Sequence, residues 1–228
     1  MTHLYRRCPC LCVRYSRQWL VGGGVVLSLY VSAVPIAAAH EALHQPSSAA
    51  TTLSTAEQET VPGRLTIPNV ILVNQYGVRV HVYNDLIKDK LVVINFIFTT
   101  CSTVCPPLGA HFAALQKLLG ERGGQDVSLI SISVDPVVDT PPRLQAWSAQ
   151  FKAGPGWTLL TGPKPEVHRL LRALHVFTPD KQTHTPTVLI GNDATGIWRR
   201  SYGLVSPATL ADILAGVRSA AMSPSSAP

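Results

Sequence analysis

The chain has 228 residues, of which 46% are hydrophobic, so it can form one domain of ordinary size with additional segments. Its formal net charge is +6, but four arginines stand before residue 18. Removing these four from the 19 basic residues leaves 15 against 13 acidic residues, a net charge of +2 for the rest of the chain. No basic run carries interleaved aromatic residues, so the composition excludes a nucleic-acid-binding protein.

The first 39 residues have the composition of a targeting segment. A stretch with four arginines and no acidic residue precedes the apolar run 19–39, which ends in three alanines. This order is typical of a cleaved signal peptide, and the run is also long enough to remain as an N-terminal membrane anchor. Because the basic end stays in the cytoplasm, both alternatives predict that the rest of the chain is exported. We expect it to be periplasmic, or to face the periplasm from the inner membrane.

Composition divides the exported part into three segments. Residues 40–62 are rich in Ala, Ser, Thr, Gln and Glu, which predicts a flexible linker. Residues 63–218 carry the hydrophobic patterns of a folded domain, and the small, polar residues 219–228 predict a disordered tail.

The hydrophobic pattern of the domain predicts strands that alternate with helices. Residues 70–73 and 78–82 predict an N-terminal β-hairpin, the apolar run 91–98 a buried central strand, and helical spacing a helix over 108–119. The other predicted elements are a strand at 127–134, a helix from Pro141 capped by Thr140, a strand at 157–160, a helix at 165–174, a hairpin of 187–190 and 197–202, and a helix at 207–217. This order predicts an α/β fold with a central mixed sheet flanked by helices.

Cysteine usage separates the leader from the domain. Cys8, Cys10 and Cys12 lie before the apolar run, where they would be removed or would stay on the cytoplasmic side, and only Cys101 and Cys105 fall within the predicted domain. In an oxidising compartment this pair needs a reductant or a metal to stay functional.

The segment Phe98–Pro106 carries the two domain cysteines between the central strand and the next helix. A helix start directs backbone N–H groups and the positive end of the helix dipole at this position, which favours the thiolate. A thiolate is both a nucleophile and a metal ligand, so the pair is predicted to perform redox chemistry, bind a soft metal, or both. A purely structural disulfide is less favoured, because such bridges gain most by closing long loops.

A thioredoxin-like fold is indicated by a strand, a cysteine pair at a helix start and a later proline before a strand. Pro186 occupies the matching place, and the resemblance predicts a cis Thr185–Pro186 bond facing the cysteines. His184 would then lie beside the sulfurs. Two thiolates and one imidazole suit copper, above all Cu(I).

The chain resembles the SCO/SenC family of copper-binding assembly proteins for cytochrome c oxidase. The resemblance rests on the Phe-Thr-x-Cys-x-x-x-Cys-Pro segment at 98–106, the Ser-Val-Asp-Pro-x-x-Asp-Thr-Pro segment at 133–141, and His184-Thr185, and it covers roughly residues 61–217. It implies that Cys101, Cys105 and His184 hold copper, as Cu(I) or Cu(II), for delivery to the dinuclear copper site of the oxidase. It also implies a thiol–disulfide role in preparing the cysteines of that site.

The partners expected from this resemblance are the copper-bearing subunit of the oxidase, copper donor proteins and an exported thiol reductant, with the chain itself a monomer.

Asp135 and Asp139 follow the strand predicted beside the cysteine strand. Asp135 is interpreted as a carboxylate that orients a ligand or docks a partner, or else as a turn residue. Asp139 is more simply explained by turn chemistry before a capped helix.

Three other functions remain open from the sequence. A metal-independent thiol–disulfide oxidoreductase would use Cys101 and Cys105 as catalytic residues and would have no use for an imidazole at His184. A peroxidase on the same fold would need a proline where Phe98 stands. A zinc site with two cysteines, one histidine and an open position also has precedent among zinc ligand sets.

Overall fold

A computed structural model describes residues 58–222. The predicted leader and residues 40–57 of the predicted linker lie outside the described residues, as does the end of the predicted tail. Between residues 58 and 222 no helix is both long and apolar enough to cross a membrane.

The described residues form one sheet and four principal helices. The strands are β1 (Gln58–Thr60), β2 (Ile71–Asn74), β3 (Arg79–His81), β4 (Leu91–Ile97), β5 (Val127–Ser133), β6 (Trp157–Thr161), β7 (Thr187–Asn192) and β8 (Ile197–Tyr202). The helices are α1 (Cys105–Leu119), α2 (Pro141–Gln150), α3 (Lys164–Ala173) and α4 (Pro207–Met222), and shorter helical turns cover Val82–Ile87, Gly120–Arg122 and Lys181–Thr183.

The sheet has the strand order β1-β8-β7-β4-β5-β6-β2-β3. Strands β4, β5 and β6 run parallel, whereas β7 is antiparallel to β4. The predicted mixed sheet with an N-terminal hairpin is confirmed, and the fold is thioredoxin-like. Because parallel strands end at the same edge and β7 begins there, the segments that follow β4 and β5 and precede β7 meet at one edge of the sheet.

The core consists of one hydrophobic cluster on each face of the sheet. The alternating side chains of β4 place Val93 and Ile97 in the first cluster, with α1, α2 and α4, and Ile94 and Phe96 in the second, with α3. Every residue of β4 is buried, as a central strand with helices on both faces requires. The side chains of residues that follow β4 can therefore pack on either face of the sheet. The face on which each candidate ligand packs determines whether the ligands lie close together.

Two predicted boundaries differ from the structure. The predicted linker extends to residue 62, but Gln58–Thr60 form β1, the edge strand that pairs with β8, and Val61 is buried, so these residues belong to the domain. The predicted tail starts at residue 219, but α4 continues to Met222. The hydroxyl of Ser219 donates a hydrogen bond to the carbonyl of Ala215 at 2.9 Å, one turn earlier in this helix.

Candidate metal centre

The cysteine pair occupies the junction between β4 and α1, as predicted. Helix α1 begins at Cys105, with prolines in its first turn, where missing N–H groups cost no hydrogen bond. The backbone N–H of Cys105 donates to the Sγ of Cys101 at 3.3 Å. Both thiols are free; Cys101 is partly exposed, whereas Cys105 is buried.

The two thiols have opposite pKa shifts. Partial burial raises the pKa of Cys101, but hydrogen bonds involving Cys105 and Thr103 outweigh it and lower this pKa from the ordinary 9.0. Burial, together with the hydrogen bond to Cys101, raises the pKa of Cys105 to about 12. Cys101 is therefore the accessible thiol that ionises first, and Cys105 is its protonated, buried neighbour.

Asp139, for which the sequence favours turn chemistry, organises the segment before the cysteines. Its side chain is fully buried, and Oδ1 accepts hydrogen bonds from the backbone N–H of Thr99 at 3.0 Å and from its Oγ1 at 2.6 Å. Oδ2 accepts a bond from the hydroxyl of Ser133 at 2.6 Å. The carboxylate thus joins the ends of β4 and β5. The sequence signal for this role was a hydroxyl residue at the end of each of two buried strands, Thr99 after β4 and Ser133 in β5, with an aspartate shortly after them.

Asp135 lies at the same edge of the sheet, but its carboxylate contacts the Nζ of Lys181. Its own backbone N–H donates to Ser133 Oγ at 3.0 Å. Lys181 belongs to the helical turn directly before His184. Asp135 therefore connects the end of β5 to the histidine-bearing segment, and a role in ligand orientation or partner docking stays a prediction.

His184 is buried, with 8% of its surface exposed. Its ring contacts Phe96 edge-on, with the ring centroids 6.2 Å apart, and its Nε2 has no hydrogen-bond partner within the described residues. It also lines a cavity of about 160 Å³. Burial lowers the pKa of this imidazole, which favours the neutral form that binds metals.

The structure brings the two cysteines together but does not add the histidine to them. Phe96, which His184 contacts, belongs to the second core cluster, whereas Cys101 and Cys105 pack with the first. No group of three or more His, Cys, Asp or Glu side chains among residues 58–222 is arranged to hold a metal ion. A three-ligand site would require a different position of the segment that carries His184.

The prediction of a cis Thr185–Pro186 bond is wrong. No cis peptide bond occurs in the described part of the chain. The trans form of a bond to proline is favoured by about 0.5–1 kcal/mol, so it persists unless tertiary contacts select the cis form. Here the carbonyls of Thr185 and Pro186 accept hydrogen bonds from the hydroxyl of Thr187 and the N–H of Gly203, at 2.9 and 2.8 Å.

The side chains present fit a soft metal ion by the chemistry of their donor atoms. Two thiols and a neutral imidazole form a ligand set that suits Cu(I). The buried Nε2 of His184, without a hydrogen-bond partner in the described residues, is available as a ligand. The same pair of thiols, one exposed and one buried, can also exchange with disulfides.

Comparison with known proteins identifies relatives over the folded domain. The chain is 40% identical over 90 residues to a SCO1 protein homolog of Bacillus subtilis (strain 168), a match that covers 39% of this chain and 45% of that protein. The chain spans about half the length of the curated relatives it matches.

Solved structures match a larger part of the domain. One is BsSco, described as a member of the Sco family of cytochrome c oxidase assembly proteins, at 28% identity and a TM-score of 0.58, covering 73% of this chain and 98% of that chain. Another is Bradyrhizobium japonicum ScoI with copper bound, at 25% identity and a TM-score of 0.53, covering 65% of this chain and 96% of that chain. The family model SCO1/SenC matches residues 64–213, which is more than half of the sequence. The chain belongs to the SCO1/SenC family.

Proposed function

We propose that this chain is an exported copper-binding protein that assists assembly of the dinuclear copper site of cytochrome c oxidase. The observation that carries the proposal is the neighbouring pair of free thiols, Cys101 and Cys105, at the start of α1, with the pKa of the accessible thiol lowered. Support comes from two relatives, one solved with copper bound and one described as a member of a family of oxidase assembly proteins.

Cys101, Cys105 and His184 are the residues that would hold the copper, as Cu(I) or Cu(II). Thiolates select soft Cu(I), and a neutral imidazole is a common copper ligand. The metal is cargo rather than a permanent cofactor, so its ligands must also release it. The partners in this proposal are a copper donor, the copper-bearing subunit of the oxidase and an exported thiol reductant.

The proposed location of the domain outside the cytoplasm rests on the first 39 residues, which lie outside the described part of the chain. Their basic start and apolar run support export, with either a cleaved signal or a retained membrane anchor. The domain would then meet its copper-bearing partner on the outer side of the inner membrane.

The test is a titration of the reduced chain with Cu(I) in competition with a chromophoric chelator. We expect one copper per chain, no binding after Cys101→Ala or Cys105→Ala, and at least about 10-fold weaker binding after His184→Ala, because loss of a ligand should cost no less than loss of a residue that only supports one. His81→Ala is the matched control, because His81 is exposed on β3. Stoichiometric copper in the variant without both cysteines would contradict the proposed site.

The opposite pKa shifts of the two thiols favour a second function, thiol–disulfide reduction. Cys101 would attack a disulfide, form a mixed disulfide and release one substrate thiolate. Cys105 would then lose its proton and attack Cys101, which releases the second substrate thiol and leaves a Cys101–Cys105 disulfide. An exported thiol reductant would restore the pair.

Substitution of the second cysteine tests this function. With an oxidised dicysteine peptide as substrate, Cys105→Ala should accumulate the mixed disulfide at Cys101, detected by mass, because the resolving thiol is absent. His184→Ala is the control and should reduce the peptide at the rate of the unmodified chain. A reduction rate that does not depend on either cysteine would exclude the reductase, whatever the copper titration shows.

A further inference from the structure

The segment that carries His184 is organised around a single helical turn. Lys181–Thr183 form this turn, with the N–H of Gln182 donating to Asp180 Oδ1 at 2.9 Å. The N–H of His184 donates to the carbonyl of Lys181 at 3.3 Å. Lys181 and His184 are thus parts of one hydrogen-bonded turn. An interaction that fixes the position of Lys181 therefore also restrains His184.

Lys181 connects this turn to the cysteine side of the sheet. Its Nζ contacts the carboxylate of Asp135, at the end of β5, and lies 5.6 Å from the ring centre of Phe98, three residues before Cys101. The side chain of Asp135 is 11% exposed and that of Lys181 is 32% exposed. The pair is therefore partly shielded from water, and its attraction exceeds that of a fully exposed pair.

The other contacts of His184 do not explain why it stays where it is. Its Nε2 has no hydrogen-bond partner in the described residues, and a buried polar atom in that state is unfavourable. The ring borders a cavity, so it is not packed on every side. The imidazole thus has its edge-on contact with Phe96 but no hydrogen bond at Nε2 within residues 58–222, and the turn with its attachment is a further restraint on its position.

We infer that Lys181 is a positioning residue, and that its contact with Asp135 holds His184 against Phe96 and away from the two thiols. Release of Lys181 frees the turn, and His184 can then join Cys101 and Cys105. This inference rests on the proposed function, in which His184 is a copper ligand. A protein whose binding-competent form is a minor fraction binds its ligand more weakly by that fraction, so the contact would lower the apparent copper affinity.

The first test measures the accessibility of His184 without copper. The reduced, metal-free chain is treated with diethyl pyrocarbonate, and modification of each histidine is followed by peptide mass. Lys181→Met keeps an unbranched apolar side chain over Phe98 but removes the charge, so we expect His184 to be modified at least about 10-fold faster, since the restrained form no longer dominates. Exposed His81 is the internal reference. Unchanged modification of His184 would overturn the inference.

Lys117→Met is the matched control, because Lys117 is exposed on α1. It should leave the modification rate of His184 unaltered. Thermal unfolding of each variant verifies the fold, and Lys181→Gln, which also removes the charge, replaces Lys181→Met if that variant does not fold. An equal acceleration in Lys117→Met would show a general charge effect and would contradict a specific role of Lys181.

The second test uses Cu(I) competition and a double substitution. Lys181→Met should bind copper at least about 5-fold more tightly than the unmodified chain, because more of it is binding-competent. The gain should vanish when both chains also carry His184→Ala, so that the double variant binds copper as tightly as His184→Ala alone. That result would show that Lys181 acts through His184. Weaker binding in Lys181→Met would mean that the contact favours ligation, and would overturn the inference.

The two proposals fail in different ways. Copper that remains bound after both cysteines are replaced would defeat the copper site. Copper binding could instead require both cysteines and be equally tight in Lys181→Met and in the unmodified chain. That outcome would support the copper site and contradict the role of Lys181.

Discussion

The cysteine segment and the histidine segment lie at the same edge of the sheet but are held in different ways. The cysteine segment is fixed by the buried carboxylate of Asp139 and by the start of α1. The histidine segment is a short turn attached through Lys181, and its buried Nε2 makes no hydrogen bond within the described residues. The thiol part of the proposed site is therefore preformed, whereas the imidazole part is not.

This difference separates the two kinds of chemistry proposed for the site. Disulfide exchange needs only Cys101 and Cys105, so it can proceed in the arrangement observed. Copper binding by three ligands needs His184 to move. An unsatisfied buried polar group costs about 1–3 kcal/mol, and ligation of a metal would recover part of that cost. In the proposed copper site, the cost of the unsatisfied Nε2 would therefore favour movement of His184 once a metal occupies the thiols.

The largest effect is expected from loss of the carboxylate that fixes the cysteine segment. Asp139→Ala removes the acceptor for the N–H and hydroxyl of Thr99 and for the hydroxyl of Ser133. Hydrogen bonds to charged groups contribute about 1.5–3 kcal/mol each, and they are not additive, so we expect the free energy of unfolding to fall by about 2–4 kcal/mol. Urea unfolding of the metal-free chain measures this change.

The control for this substitution is Asp212→Asn, at an exposed position on α4. It should change the free energy of unfolding by no more than about 0.5 kcal/mol, as surface substitutions usually do. If Asp139→Ala is no more destabilising than this control, the cysteine segment is not fixed by Asp139, and the contrast between the two segments disappears.

Local patterns predicted the cysteine side well. A buried run followed by helical spacing placed Cys101 and Cys105 at the junction of β4 and α1, where the structure has them. The same patterns do not report which face of the sheet a loop packs against, so the burial of His184 beside Phe96 was not predicted. The role of Asp139 depends on hydroxyl groups from two strands, and only the folded sheet brings these together.

A smaller effect tests the other half of the contrast, the unsatisfied state of His184. His184→Leu replaces a buried imidazole by an apolar side chain of similar size. An apolar group without hydrogen-bonding needs removes the desolvation cost of Nε2, so we expect the metal-free chain to gain up to about 1 kcal/mol in the free energy of unfolding at pH 7.

The gain should also depend on pH in a defined direction. Burial lowers the pKa of His184 below its ordinary 6.5, so the unfolded chain binds this proton more readily than the folded chain. The free energy of unfolding is therefore unaffected by this proton above pH 6.5 and decreases as the pH falls toward the lowered folded pKa, because the unfolded chain takes up the proton first. His184→Leu cannot bind this proton, so its free energy of unfolding does not decrease for this reason. Its stability relative to the unmodified chain should therefore increase as the pH is lowered from 7 to 5, which urea unfolding curves measure.

His111→Leu is the control for His184→Leu, because His111 Nδ1 lies 2.8 Å from the carbonyl oxygen of Val205 and forms a hydrogen bond. Removal of that satisfied group should destabilise the chain by about 1 kcal/mol, the opposite sign to His184→Leu. If both substitutions destabilise the metal-free chain alike, the imidazole of His184 contributes to the fold through a contact of its own. Its position would then not depend on the attachment through Lys181, and the histidine segment would be as firmly held as the cysteine segment.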